Sequence, residues 1–435
     1  MTVSNWGLYP RITATEIPCP SINDVQTALS DNSTVIGRGL GRCYGDSALN
    51  DVILSMRPLN NIISFDSING IITCESGVSF SELLPLIINH GWFLPVTPGT
   101  QFVTVGGAVA ANVHGKNHHS DGDFCNFVLA IQLIGSGGQL IVCRPGDPYF
   151  DMTCGGMGLT GIITQVTFSL KPIETPFIAQ KTLKLSHLDE TMRAFDQYHQ
   201  SNYAVAWLDC LATGSQFGRS VLLLGNHASQ AECLEEGIQP TNPHRSFSVS
   251  VPFFMPLLGT SLNRIFNAGY FLTRKSGDSI THYQPYFYPL DTIRHWNRLY
   301  GKNGFFQYQC VFPLLTSHTG LSAILQTVQQ HAKASFLCVL KKMGPTQCGV
   351  LSFPMEGFTL ALDFPINPST LSLCRQLDRI VLDNGGRHYL AKDSQLSKAV
   401  FWDTYPDQAR AFRSFRESNN LVGQFESLQS RRLGL

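Results

Sequence analysis

The sequence predicts an α+β protein built as two domains, and three observations carry that expectation. The chain has 435 residues, beyond the ~250–300 that a single core usually serves. Short β-branched runs and helical stretches do not alternate as strand–helix–strand units, so a doubly wound sheet is excluded. The stretch Gly156-Met157-Gly158-Leu159-Thr160-Gly161 matches G-x-G-x-x-G, but the strand run Ile162–Phe168 follows it where a dinucleotide fingerprint opens a helix.

The elements follow in chain order. Up to about Pro172 the chain is glycine-rich, with strand candidates at Val35-Ile36, Val52–Leu54, Ile62–Phe65 and Ile71–Cys74. Ser79–Glu82 is a capping box, and Leu83, Leu86 and Ile87 behind it share a helical face. Pro85 sits early enough to bend that helix without ending it. From about Ile173 to Gly386 the elements lengthen: Ser335–Leu340 and Phe358–Phe364 read as strands, and Leu371–Leu382 as an amphipathic helix stopped by Asn384-Gly385-Gly386. Beyond Arg387 the chain is more polar and more helical. Residues 251–258, Val-Pro-Phe-Phe-Met-Pro-Leu-Leu, are apolar yet broken by two prolines. They read either as a buried connection or as an apolar patch for a lipid or membrane.

Composition narrows the function. With Lys+Arg and Asp+Glu both at 31 the formal charge is zero, a poor basis for binding nucleic acid. No stretch approaches the ~18 apolar residues of a spanning helix, and no secretory leader is expected from Met1 to Ile17. The twelve cysteines form no C-x-x-C pair, which points to a reduced, intracellular chain.

Five motifs bear chemistry. Gly37-Arg38-Gly39-Leu40-Gly41-Arg42-Cys43-Tyr44-Gly45-Asp46 follows a β-branched pair. Clustered glycines let backbone N–H groups converge on an anion such as a pyrophosphate, though a tight turn needs the same residues. Pro98-Gly99-Thr100 and Thr104–Ala110 suggest close backbone approach to a flat ligand, or helix-on-sheet packing. His114-Gly115-Lys116-Asn117-His118-His119-Ser120 spaces two histidines like a zinc helix. Gly115, Lys116 and the missing third ligand favour instead a donor-rich turn for a phosphate or alkoxide, so no metal is expected. Gln307 and Gln309 alternate on one strand face, toward a sugar pocket or toward solvent. Lys392-Asp393, in Ala-Lys-Asp-Ser, would by itself be a surface pair.

Taken in order, Arg-x-Tyr-Gly-Asp, Pro-Gly-Thr, Val-Gly-Gly-Ala, His-Gly-Lys-Asn-His-His-Ser, Gly-Leu-Thr-Gly-Ile-Ile and Ala-Lys-Asp-Ser resemble the decaprenylphosphoryl-β-D-ribose 2′-oxidase family. That family lies within the vanillyl-alcohol-oxidase-like FAD superfamily, and the resemblance runs over nearly the whole chain. It implies a discontinuous FAD domain, residues 1–175 and 387–435, around a substrate domain, 176–386, built on an antiparallel sheet. It implies non-covalent FAD, because Arg42 stands where covalent members often carry His. The implied cofactor contacts are Gly37 to Tyr44 and Asn50, then Pro98, Gly99, Thr100, Val103, Gly106, Gly107, Ala111, Val113 and His114. Gly158, Ile163 and Tyr389 complete them.

The implied substrate contacts are Tyr44, Lys116, Trp207, Leu290, Asn297, Arg298, Gln307, Gln309, Lys341, Ala361 and Lys392. Lys392, His114 and Lys116 are the catalytic candidates, with the base either Lys392 or His114. Lys116, Lys341 and Arg298 are candidates to hold a phosphate. The implied reaction moves hydride from ribose C2 of a polyprenyl-phosphoryl ribose to flavin N5, leaving a 2-keto sugar. A separate NAD-dependent short-chain reductase then completes epimerisation to the arabinose sugar used in cell-wall synthesis. The alternative substrate is a soluble polyol, sugar or aldonolactone. The expected location is cytoplasmic or peripheral at the inner membrane, through 251–258. Three departures bear on the sugar and lipid: Ala361 where well-known members carry Cys, Phe287 where they carry Tyr, and Met157 in place of Asn.

Overall fold

The computed structural model describes residues 1–238, 247–248, 260–331, 333, 335, 337–345 and 348–435. The apolar 251–258 stretch lies outside the described residues. The N-terminal part is built on two larger sheets, besides the two-stranded pairs Thr2–Val3 with Ile12–Thr13 and Trp92–Phe93 with Lys171–Pro172. Thr15–Pro18, Val52–Ser55 and Ile36–Arg38 form a three-stranded parallel sheet with Val52–Ser55 at its centre. Leu140–Cys143, Val128–Ile134, Ile162–Ser169, Ile71–Glu75 and Ile62–Asp66 form a five-stranded antiparallel sheet in that order. Leu54, Ile134 and Ile162 pack between them in one apolar cluster. The helix Ile22–Asp31 caps itself with Ser21, which accepts from Asp24 N, and buries Val25, Ala28 and Leu29 at helical spacing. The helix Phe80–Ile88 carries the expected capping box and contains Pro85.

The second part is an eight-stranded antiparallel sheet. Its order is Gly277–His282, Phe177–Leu185, Ser220–His227, Tyr203–Leu208, Cys338–Met343, Gly357–Pro365, Phe305–Pro313, Arg387–His388. Alternation gives it two unlike faces. Tyr308, Cys310, Leu340, Leu360 and Leu362 meet the helices Leu188–Gln197, Ser317–Gln330 and Pro368–Asp383 in one core. The intervening residues Gln307, Gln309, Val339, Lys341 and Ala361 turn to the opposite face and line a cleft. The strand expected at Ser335–Leu340 is shifted to Cys338–Met343, where pairing with Gly357–Pro365 sets its ends.

Arg387–His388 pairs with only Val311 and Cys310. After it the chain returns to the N-terminal part through the helices Lys398–Thr404, Pro406–Ser418 and Leu428–Leu433. Arg416 in this return is fully buried. It donates to the carbonyls of Leu159 and Phe425 and pairs with Glu426 at 2.8 Å. Arg432 clasps Asp46 and Asp393, each at 2.8 Å, so the last turn ties the glycine loop to the Lys392 segment. Among the described residues no helix is long and apolar enough to cross a membrane.

Candidate active site

A long cleft runs between the glycine loop and the open face of the eight-stranded sheet, enclosing about 1570 Å³ of empty space counting its mouth. Its cofactor-side wall is Gly37, Gly39, Leu40, Gly41, Arg42, Cys43 and Tyr44, with Pro98, Gly99, Thr100, Val103, Gly107, Ala111, Val113, His114, Gly158 and Tyr389. Two backbone features require glycine here. Gly41 sits at φ +61°, in the left-handed region. A Cβ on Gly39 would lie 2.2 Å from Thr104 Oγ1. That hydroxyl accepts from Gly107 N and caps the helix Val105–Ala110.

The sheet side supplies a row of side chains set by register. Gln309 pairs with Ala361 and Gln307 with Asp363, while Val339 pairs with Ala361 and Lys341 with Thr359. Trp207 continues the row opposite Val339 but packs, tilted, against Tyr270 with ring centroids 4.6 Å apart and does not reach the cleft wall. Leu290 and Asp291 close one end, and Asp291 accepts from Gln101 N at 2.9 Å. Arg42 lies over the Trp6 ring at 4.0 Å and the Phe102 ring at 5.1 Å.

His114, Lys341 and Lys392 form the basic centre. His114 Nδ1 stands 3.1 Å from Lys341 Nζ, and Nε2 is 3.2 Å from the Gln309 amide. Burial, then the charges of Lys341, His118 and Lys392, hold His114 well below the ordinary histidine range. It is therefore a neutral ring at neutral pH. Burial lowers Lys341 to about 7, helped by Lys392. Burial also lowers Lys392, to about 8, against the opposing pull of Asp363. Asp363 accepts from Gln307 Nε2 at 2.6 Å, and burial raises it to about 7. Lys392 Nζ lies over the Tyr44 ring at 3.8 Å. Tyr44 is set edge-on to Phe305 at 5.3 Å. At about 8 this buried amine is about one-tenth neutral at pH 7 and mostly neutral above pH 8, the form a proton acceptor needs.

Other expected residues lie behind the walls. Lys116 is buried under the Tyr286 ring at 4.2 Å and donates to the Tyr286 carbonyl. Burial brings it to about 7, but it does not line the cleft. Asn297 donates to the Trp6 carbonyl at 2.9 Å. Arg298 does not line the cleft. Arg38 donates to the Ser4 carbonyl, and its Nη1 is buried without a partner. Asn50 is fully buried against Arg431. Gly106 packs on Ser76, and Ile163 belongs to the core under the five-stranded sheet. Of the three departures, Ala361 and Met157 line the cleft. Phe287 instead packs among Phe93, Tyr203 and His227.

His118 sits apart from His114, with Nε2 3.2 Å from Asp123 and Nδ1 accepting from Gly344 N. Among the described residues no group of three His, Cys, Asp or Glu could hold a metal. The sequence reading missed Trp6, Asp291, Val339 and Asp363 as cleft or site residues. For Asp363 a signal existed, since it stands two residues from Ala361 on one strand; for Trp6 there was none.

A family model described as an FAD binding domain matches residues 21–144. Decaprenylphosphoryl-beta-D-ribose oxidase of Mycolicibacterium smegmatis is 36% identical over 413 residues, 92% of this chain and 89% of that protein. An uncharacterized protein of Streptomyces coelicolor is 31% identical over 82% of this chain and all of its own length. A solved structure of a Physcomitrella patens BBE-like 1 variant superposes with a TM-score of 0.66 at 13% identity, covering 94% of this chain and 89% of that one. The cleft suits FAD. A glycine cradle with no room for a Cβ at Gly39 and a left-handed Gly41 allows the close backbone approach that a pyrophosphate requires.

Proposed function

The chain belongs to the decaprenylphosphoryl-β-D-ribose oxidase family of FAD-dependent oxidoreductases acting on CH–OH groups, and from that premise we propose that it oxidises the 2′-hydroxyl of a polyprenyl-phosphoryl-β-D-ribose to the 2′-ketone. The observation that carries the reading is Lys392, a buried amine at about 8 on the cleft wall, over the Tyr44 ring. Bound FAD supplies the two-electron acceptor. The glycine loop and the Val105–Ala110 segment would hold its pyrophosphate and pack along it, non-covalently.

Lys392 takes the hydroxyl proton in its neutral form. His114, neutral and fixed between Lys341 and Gln309, orients the sugar; Lys341 and Gln309 face the same volume. Lys341, which burial lowers to about 7, is neutral wherever Lys392 is neutral and serves as an N–H donor toward the developing alkoxide. Trp6 and the Tyr44 ring exclude water from one side. The 2-keto product is chemically poised for reduction by a separate NAD-dependent reductase, which would complete an epimerisation.

A visible spectrum of the purified protein followed by anaerobic titration tests this. Polyprenyl-phosphoryl ribose should bleach the flavin, and soluble polyols and aldonolactones should not. Bleaching by a polyol with no response to the lipid-linked ribose would refute the substrate assignment.

A further inference from the structure

A second, smaller cavity of about 30 Å³ lies behind Lys392, and Gln307, Gln309, Tyr389 and Lys392 line both it and the main cleft. Measured in this way a water needs roughly 10–15 Å³, so one or two fit. The cavity exists because of a local feature of the sheet. Arg387–His388 pairs only with Val311 and Cys310, and after Tyr389 N donates to the Gln309 carbonyl the edge of Phe305–Pro313 at Phe306–Tyr308 has no strand beside it. Residues 389–396 pass over that edge and leave a gap from the cleft face to the helix face.

On the helix face the gap ends in a cluster that the reaction has not so far used. Tyr308 Oη donates to Asp378 Oδ1 at 3.0 Å and lies 2.8 Å from His388 Nε2. His388 Nε2 is also 3.1 Å from Asp378 Oδ1. With Nε2–H directed at the carboxylate, His388 Nδ1 is left as a lone-pair acceptor, and it is buried without a protein partner. Ser394 Oγ, on another residue lining the cavity, is likewise buried and unpartnered. Two orphaned polar atoms beside a water-sized cavity mark a site for ordered water.

We propose that the cavity water and His388 form a relay that carries the proton from Lys392 around the sheet edge to Asp378 while product still fills the cleft. The inference rests on Lys392 being the base. Oxidising the alcohol by hydride loss from carbon to bound FAD leaves its hydroxyl proton on the Lys392 amine. The ammonium passes a proton to the cavity water, which gives one to His388 Nδ1. The resulting imidazolium gives its Nε2 proton to Asp378, whose side chain is 11% exposed and hands it to solvent, and the ring returns to its resting tautomer by exchanging its Nδ1 proton for one on Nε2 with no net proton moved. Lys392 is thereby neutral again, and His388 acts as a relay that never touches substrate.

Stopped-flow bleaching of the holoenzyme, followed alongside a pH-indicator dye in weak buffer, tests the relay. In the unsubstituted protein the proton should reach bulk solvent in step with bleaching. In His388→Gln bleaching should hold within about twofold, while proton release lags by about tenfold or more. Added imidazole should remove the lag, which a merely structural defect would not allow. In ¹⁵N-histidine spectra, the resonance lost in His388→Gln should report an unprotonated Nδ1. Proton release in step with bleaching in the variant, or a protonated Nδ1 in the resting protein, would overturn the relay. Where His388→Gln does not retain FAD, Asp378→Asn carries the same test. Lys392→Ala separates the two ideas. Normal bleaching there refutes the base, whereas loss of bleaching with no lag in His388→Gln refutes the relay alone.

Discussion

Replacing Lys392 by Ala removes the amine from the cleft wall and leaves the glycine loop and the Thr104 cap untouched. FAD should remain bound while flavin reduction slows by at least about a hundredfold, or about 2.7 kcal/mol of barrier. The unsubstituted protein adds a second, independent signature. With Lys392 at about 8 and the neutral amine as acceptor, about a tenth is competent at pH 7 and about nine-tenths at pH 9. The rate of anaerobic flavin reduction should therefore rise by about tenfold over that span and level off. The Asp363 carboxylate holds Lys392 up, so Asp363→Asn should move the rising limb to lower pH. Stopped-flow bleaching at saturating substrate reads all three proteins. Near-normal reduction in Lys392→Ala, or a rising limb unmoved by Asp363→Asn, would refute the reasoning.

Further outcomes follow from other residues. Acid precipitation should leave a colourless pellet and a yellow supernatant, since FAD is held by the loop without a bond to the chain; a yellow pellet would contradict that. Lys116→Met, on the far side of Tyr286, should leave the flavin-reduction rate unchanged, whereas Lys341→Met beside His114 should slow it; a large loss in Lys116→Met would place that lysine in the chemistry. Gly39→Val should abolish FAD binding, measured by flavin fluorescence on titration, because its Cβ would meet Thr104 at 2.2 Å. Arg416→Met leaves Glu426 buried and unpaired, and should cost about 3–5 kcal/mol in denaturant unfolding; a loss under 1 kcal/mol would count against it.

Local signals were the legible ones. The glycine loop, the capping box at Ser79, the strands Val52–Ser55, Ile62–Asp66, Ile71–Glu75 and Ile162–Ser169 and the helix stop at Asn384 follow from neighbours in sequence, whereas the strands Thr15–Pro18, Val128–Ile134 and Leu140–Cys143 were not anticipated. The strand after Gly161 correctly excluded a dinucleotide fingerprint. Partner choice was not legible: nothing near Val52–Ser55 announces parallel pairing with Thr15–Pro18 and Ile36–Arg38. Lys392-Asp393 read alone as a surface pair, yet Asp393 turns to Arg432 and Lys392 to Tyr44, so the two side chains part. Lys116 was legible as part of the donor-rich turn, but its direction is set by Tyr286, 170 residues away. Tyr308, Asp378 and His388 meet only because a two-residue strand closes the sheet, and no spacing in the sequence foretells that.

The clasp of Arg432 on Asp46 and Asp393 has a consequence for how the protein is made. A chain synthesised from its N-terminus can pair the early strands and helices as they leave the ribosome. The amine at residue 392, and the Arg432 guanidinium that fastens its segment to the glycine loop, emerge several hundred residues after that loop. Until then the eight-stranded sheet lacks its closing strand and the loop has no counter-charge for Asp46. A nascent chain that has not yet reached Arg432 would thus present the glycine loop without the segment bearing residue 392 fastened to it.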